Sequence, residues 1–400
     1  MNKPYFIFLL IAGLLSCSPT RKAVTVRVKN PADLQRQDAL VIIDLARLSR
    51  SEFRDKPVVV KAGNEEVPAQ KFGNVLYLVA DFEPAEEKTL FLQTVRKMPQ
   101  YPQRAHAELS RKTGGRFEGN LYVGGTFEKV TEEVVPPEHA IHDNYYRYEG
   151  PGWESDRVGY RYYLDERNRI DIFGKRVTRM VLPEVGLDGL DSYHELAEWG
   201  ADIFKVGESL GIGSVGTFLK GAARQINKTD STRVRIVADG PVWAEIQTDY
   251  YGWQIDQHKL HLESHLAIHA GTRLTKHSIC IHNGLENLVT GLVKTEGCSY
   301  IEGAPHDNSS GWRYIALWGK QSLMGDNLGT AIFFRGNDLI QISEDDLNYL
   351  VVLKPGGERL TYYFAAAWEA EPDGIKTEGE FTDYLEQTVM ELNNPIKVIY

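Results

Sequence analysis

Residues 242–282 read VWAEIQTDYYGWQIDQHKLHLESHLAIHAGTRLTKHSICIH, and this stretch decides the fold. Three strand-like runs, Val242–Tyr250, His261–His269 and Leu274–His282, follow one another at short intervals. In the second run His261, Glu263, His265 and His269 fall on one face, opposite Leu262, Leu266 and Ile268. That period of two is the mark of a half-buried strand. Ala270-Gly271-Thr272 punctuates the last two runs, and Asp239-Gly240-Pro241 separates the first from an earlier run, Arg233–Ala238. Long successive strands joined by tight turns predict an antiparallel sheet.

Further strands are expected at Thr330–Arg335, Tyr349–Lys354 and Leu360–Trp368. Two helices are also expected. Tyr193–Leu210 carries Leu196, Trp199, Ile203, Phe204 and Val206 in rough helical spacing before Gly211 and Gly213, and Phe381–Leu392 precedes Pro395. Nearer the start, Val24, Val26 and Val28 alternate with polar residues, and short apolar runs follow between turns such as Asn30-Pro31 and Gly73-Asn74. Strands at this spacing predict a small β-sandwich. The fold class is therefore mainly β: a small N-terminal β-sandwich, then a large antiparallel β-supersandwich with a few helices. The boundaries are 1–16 signal peptide, 17–23 tether, 24–94 small sandwich, 95–138 connector and loops, and 139–400 the large domain with the cleft.

The G-P-V-W-A-E-I-Q strand and the later strand ending in His-Ala-Gly-Thr resemble core strands of the galactose-mutarotase-like supersandwich. The small sandwich, with Asn30-Pro31, Arg36, Glu66-Val67-Pro68-Ala69-Gln70 and Leu78-Val79-Ala80-Asp81-Phe82, resembles the accessory β-domain of family-38-type α-mannosidases. Y-E-G-P-G-W-E-S-D-R-V-G-Y-R at 148–161 and the block that begins at Tyr193 resemble a bacterial domain-of-unknown-function family of exported proteins. The genes of that family often lie beside polysaccharide lyases and unsaturated-uronyl hydrolases. The resemblance implies a carbohydrate context but supplies no reaction.

The N-terminus has the pattern of a secretory signal, with Lys3 before a short apolar core and Leu14-Leu15-Ser16-Cys17 resembling a lipobox. It implies cleavage before Cys17, lipidation of that cysteine and anchoring to the cell envelope, with the outer membrane and a periplasm-facing orientation expected. Cleavage moves the formal charge from −10 to −11, because Lys3 is the only charged residue removed. An acidic chain argues against a nucleic-acid partner. Cys280 and Cys298 are compatible with one disulfide or with free thiols.

The candidate chemistry lies in two segments. In the first, strand alternation puts Glu154, Asp156 and Tyr160 on one face and Trp153, Arg157 and Arg161 on the other. A pair of guanidinium groups suits a sugar carboxylate, and a tryptophan suits a pyranose face. The alternative is a loop pinned by ion pairs. In the second, a helix would bring His194, Glu198 and Asp202 to one side, with Tyr193, Trp199 and Lys205 close by. The expected catalytic groups are His194, Glu154, Tyr160 and Asp202. The expected substrate-binding groups are Trp153, Asp156, Arg157, Arg161, Tyr193, Trp199 and Lys205. In the His261 row, neighbours on one strand stand about 7 Å apart, too far to share an ion without another strand, for which His277 is the candidate. No metal ligand and no cofactor are therefore expected. The function expected is action on acidic, uronate-containing oligosaccharides, as lyase or glycoside hydrolase. The alternative is a non-catalytic glycan-binding envelope lipoprotein.

Overall fold

The computed structural model describes residues 23–189, 192–282, 284–303, 310–356 and 359–400; the signal segment, the lipobox and Cys17 lie outside these. The chain is mainly β and its named sheets are antiparallel, as expected. In the small sandwich, Val24–Lys29 pairs with Glu87–Thr94, and that strand pairs in turn with Val58–Ala62. Arg36–Asp44 and Val75–Phe82 build the facing sheet. Alternation drives this packing: Val26, Val28, Val41, Ile43, Leu76 and Leu78 point inward into one apolar core. The C-terminal strand Lys397–Ile399 also joins this unit, Val28 pairing with Val398, so the sandwich is built from both ends of the chain.

The large domain rests on a nine-stranded sheet whose centre is Trp243–Ile255, His258–His269, Leu274–His282 and Leu360–Trp368. Its inner face presents Ile246, Leu262, Leu266, Ile279 and Phe364 to a six-stranded and a five-stranded sheet, which together make a continuous core. The outer face is covered in two places. The C-terminal helix Glu378–Asn393 sets Phe381, Leu385 and Val389 on Trp312, Tyr314 and Phe333, and a capping box of Thr377 and Glu380 starts it. The small sandwich covers the other place through Gln70, whose side chain accepts from Val242 N (3.0 Å) and Trp243 N (2.8 Å) and donates to Trp243 O. Tyr77 stacks on Trp243 beside it.

Two expectations are corrected here. Residues 95–138 are not loops: Ala105–Thr113 is a strand of the six-stranded sheet, paired with Gly152–Ser155 and Thr126–Val130. Its polar residues His106, Glu108 and Ser110 are buried, which hides the strand from a hydropathy reading. The segment Tyr193–Leu210 is not a helix. It holds a single turn at Ser192–His194 and a short edge strand, Gly200–Asp202, paired with Ile170–Lys175. At Gly200 φ is +134°, and an added Cβ would sit 1.8 Å from Gly174 O, so the chain is laid flat against its neighbour. Of the two states left open for Cys280 and Cys298, both are free thiols.

His277 does not reach the His261 row either. It faces the core, with Nε2 2.7 Å from Ser264 Oγ and Nδ1 3.3 Å from Gly213 O. Burial pushes it down to about 3, so the folded chain binds its proton far less readily than the unfolded chain. Its contribution to stability is complete above about pH 6.5 and is lost as pH falls from there toward 3. We expect about 3 kcal/mol of destabilisation from this group between pH 7 and pH 4. Urea unfolding of wild type and His277→Gln at both pH values measures it. Equal pH slopes in the two proteins would refute the assignment.

Candidate functional site

Between the small sandwich and the C-terminal helix, the outer face of the nine-stranded sheet is left open as a cleft of about 1000 Å³. Residues 35–42 form one wall and the helix Glu378–Asn393 the other. Strand register explains what lines the floor. Trp243 is paired with His269, and Ala267 with Lys276, which is paired in turn with Tyr363. Arg335 enters from the strand Leu328–Arg335, its guanidinium 5.1 Å from the Trp312 ring centre. Arg157 enters from the turn after Gly152–Ser155.

The cleft lining carries charges of both signs, Arg36, Arg157, Arg273, Lys276 and Arg335 beside Asp38, Asp373, Glu380, Asp383 and Glu391, and they differ in how far they are engaged. Asp38 and Asp156 are both occupied by Arg104, at 2.7 and 2.6 Å, and Asp156 also accepts from Gly271 N. Glu371 is held by Arg273 at 2.7 Å. By contrast, among the described residues Arg157, Lys276 and Arg335 have no side-chain hydrogen bond or ion pair to a carboxylate. Burial lowers the pKa of Lys276, and the charge of Glu245 works against that shift. His269 is half-buried, and Nδ1 lies 2.8 Å from Ala270 O. A carbonyl can only accept, so Nδ1 carries the proton and Nε2 is left as a bare base. Burial also lowers the His269 pKa, against the opposing pull of Asp38 and Asp156, which keeps the ring neutral at pH 7. Burial raises the Tyr363 hydroxyl to about 12, so it remains a donor.

The residues singled out from sequence divide into three groups. Arg157 lines the cleft, while Asp156 is engaged in holding Arg104 and the Gly271 turn. Trp153, Glu154 and Tyr160 are corrected: all three lie in the core. Trp153 Nε1 donates to Thr275 Oγ1, and the Tyr160 hydroxyl donates to Arg273 O and accepts from Ala366 N. Glu154 is paired with Lys175 at 2.5 Å, both side chains sealed from solvent.

The third group forms a second centre. Arg161 is buried, and it donates to Asp171 (2.9 Å), Asp202 (2.5 Å) and the Tyr193 hydroxyl (2.9 Å), with Glu149 at 3.4 Å. His194, half exposed, places Nε2 3.4 Å from Asp202 Oδ2. The expected meeting of His194 and Asp202 thus occurs, through a loop and an edge strand and without a helix; Glu198 is exposed. Burial, then the charge of Asp171, raises the Asp202 pKa against the pull of Arg161, so this carboxyl holds a proton more tightly than usual. The backbone beside it is strained: Tyr148 and Glu149 have φ of 41° and 69°, left-handed values that non-glycine residues seldom adopt. Trp199 packs against the apolar cluster of Tyr148, Phe173 and Tyr193, edge-on to Phe173, and Lys205 is exposed on the loop beyond.

His269, Lys276, Tyr363 and Arg335 were not among the residues chosen from sequence as site residues. The alternation that put His269 on the polar face was visible, but its neighbours in the cleft come from strands distant in sequence.

A mainly β, sandwich-type protein with a wide cleft, lined by charges of both signs, on the open face of a nine-stranded antiparallel sheet is the class that fold and site define. The chain belongs to the family described as domain of unknown function DUF4861, matched over residues 28–398. That is the kind of family the Tyr148 and Tyr193 blocks led us to expect. No curated protein matches the sequence. Among solved structures it is similar to a protein in the glycosyl hydrolase family 38 from Enterococcus faecalis, with 10% identity and a TM-score of 0.48 over 94% of this chain and 47% of that one. It is also similar to an alpha-mannosidase from Enterococcus faecalis V583, at 9% identity and a TM-score of 0.47, covering 94% of this chain and 46% of that one. The chain therefore spans about half the length of these two structures.

Proposed function

We propose that this chain is a carbohydrate-active protein that binds acidic, uronate-containing oligosaccharides in the cleft and cleaves them by β-elimination. The observation that carries the reading is His269, whose Nδ1 faces Ala270 O and leaves Nε2 open, in a cleft where, among the described residues, Arg157, Lys276 and Arg335 have no carboxylate within ion-pair distance. Unpaired cations on a half-buried floor favour a carboxylated ligand, and a guanidinium at the carboxylate makes the neighbouring carbon more acidic. In the reaction, Nε2 of His269 takes the proton from that carbon. The electron pair forms the new carbon–carbon double bond, and the bond to the glycosidic oxygen breaks. The leaving oxygen takes a proton from the Tyr363 hydroxyl. His269 and Tyr363 sit two strands apart, about 10 Å at the backbone, room enough for a sugar ring between them.

The test is incubation of the mature protein with a panel of uronate oligosaccharides. Product masses are followed together with the ultraviolet absorbance of a double bond conjugated to a carboxylate. Cleavage with new absorbance and no added water is the expected result. A sugar-dependent rise in melting temperature without turnover would leave a glycan-binding protein. Hydrolysis is the second reading. It rests on Asp202, whose raised pKa and contact with His194 suit a general acid, and cleavage with added water and no absorbance would favour it.

The same reading puts the protein at the cell envelope, anchored at Cys17. Cys17→Ser is expected to move it from the membrane fraction to the soluble fraction; an unchanged distribution would rule the anchor out.

A further inference from the structure

Beyond the cleft, the outer sheet face continues toward Tyr251 and His282, where neither the helix nor the small sandwich covers it. Asp249 and Glu263 stand directly opposite each other on adjacent strands, and His261 lies two residues before Glu263 on the same face. One donor atom from each of Asp249, His261 and Glu263 comes within 4.8 Å of the other two. The neighbouring strand that the histidine row needs is therefore the preceding one, through Asp249. We propose that Asp249, His261 and Glu263 form a binding site for one borderline divalent cation of the zinc class, a proposal independent of the eliminase reading.

Four observations support it. His261 Nε2 is buried, has no hydrogen-bond partner, and lies 3.7 Å from Asp249 Oδ1. That gap is too long for a hydrogen bond, and it is close to the roughly 3.4 Å between two ligands of a tetrahedral ion with bonds of about 2.1 Å. The His261 ring is held in place, stacked between Tyr251 at 4.5 Å and His282 at 4.8 Å. His265 behaves similarly. Its Nδ1 meets Glu245 Oε1 at 2.9 Å, while Nε2, also without a hydrogen-bond partner, faces Glu263 Oε2 at 3.7 Å. A histidine that gives its Nδ1 proton to a carboxylate turns a lone pair toward the second carboxylate, and a cation between them resolves the conflict. Finally, Asp249 and Glu263 are like charges directly opposite in the sheet; Arg235 at 3.3 Å from Asp249 Oδ2 and His282 at 3.1 Å from Glu263 Oε1 offset the repulsion from outside the pair, and a bound cation would convert it into an attraction at its centre.

The donor set selects the ion. An imidazole with two carboxylates suits zinc or its first-row neighbours, whereas calcium and magnesium prefer oxygen alone. Three protein ligands on an open face leave a position for water or for a ligand oxygen. Glu263 lies four residues along the sheet direction from the Lys276 row, about 13 Å from the cleft floor.

The experiment uses tag-free protein stripped with a chelator and then dialysed against Zn²⁺, with Ca²⁺ in parallel. One zinc per chain is expected, with Ca²⁺ unable to compete at equal concentration. Asp249→Asn and His261→Gln are each expected to weaken zinc binding at least tenfold. Unchanged uptake in both variants, or no stoichiometric uptake by folded wild type, would overturn the site. A second measurement needs no variant. Co²⁺ added to wild type should give the intense visible bands of a low-coordinate nitrogen and oxygen site, and a spectrum like that of the aqueous ion would overturn the proposal.

Discussion

Glu154→Gln is expected to destabilise the large domain by about 3–5 kcal/mol, among the largest effects of any single substitution in the chain. Lys175 and Glu154 are sealed from solvent, with Nζ 2.5 Å from Oε2. The carboxylate also accepts from Val181 N and Leu182 N, both at 2.8 Å, and so ties the segment after Ile170–Lys175 to the strand Gly152–Ser155. A glutamine removes the charge and leaves the ammonium buried with only Ser155 O, at 2.7 Å. Breaking one side of such a pair costs more than the pair itself contributes. Burial already lowers the Lys175 pKa, with Glu154 working against it, and losing Glu154 lowers it further. The sign of the pH effect follows. In the variant the unfolded chain binds the Lys175 proton more tightly than the folded chain, so stability rises with pH. Replacing both residues, as Glu154→Leu with Lys175→Met, removes the stranded charge but leaves Val181 N and Leu182 N without their acceptor, so it should restore only part of the loss. The measurement is the midpoint of the first urea transition, since a two-domain chain need not unfold in one step. Wild-type stability in Glu154→Gln together with lost turnover would return Glu154 to the catalytic role that its place in the sequence suggested.

That contrast shows what the sequence made legible. The central strands were readable because alternation is local: Leu262 and Leu266 inside with His261, Glu263 and His265 outside follow from the period alone. The C-terminal helix was readable for the same reason, Phe381, Leu385 and Val389 recurring on one face. The supposed helix at Tyr193–Leu210 failed because Ile203, Phe204 and Val206 are buried in the loop that follows the edge strand Gly200–Asp202, while Leu196 is 51% exposed. Arg161, Tyr193, His194 and Asp202 do gather, because chemistry-rich segments of the chain were read together even though the helix was wrong. Glu154 and Trp153 were misplaced because a buried ion pair and a core tryptophan look, one residue at a time, like a binding site. The cleft was hidden for a different reason. His269, Lys276, Tyr363 and Arg335 meet only through the pairing of four strands, and that register is long-range information.

Under the proposed β-elimination, His269→Asn is expected to lower kcat by about 10²–10⁴-fold, with a smaller effect on KM. Asparagine is the informative change, because its amide can still donate to Ala270 O in place of Nδ1 but offers no base where Nε2 stood. The pH profile gives an independent readout. Burial holds the His269 pKa below the ordinary value, so the acid limb of kcat/KM should fall below about pH 6.5. Loss of the Asp38 charge, as in Asp38→Asn, should move that limb lower still, because Asp38 favours the protonated ring. The same change releases Arg104 from one of its two carboxylates, so a stability control accompanies it. Arg157→Ala should raise KM and lower kcat/KM, since the proposed reaction has its guanidinium at the substrate carboxylate both in the ground state and as charge develops. Full turnover in His269→Asn would remove the base from the cleft. His194 would then be the next group to test, because solvent reaches it and it lies beside Asp202, a carboxyl whose pKa is raised.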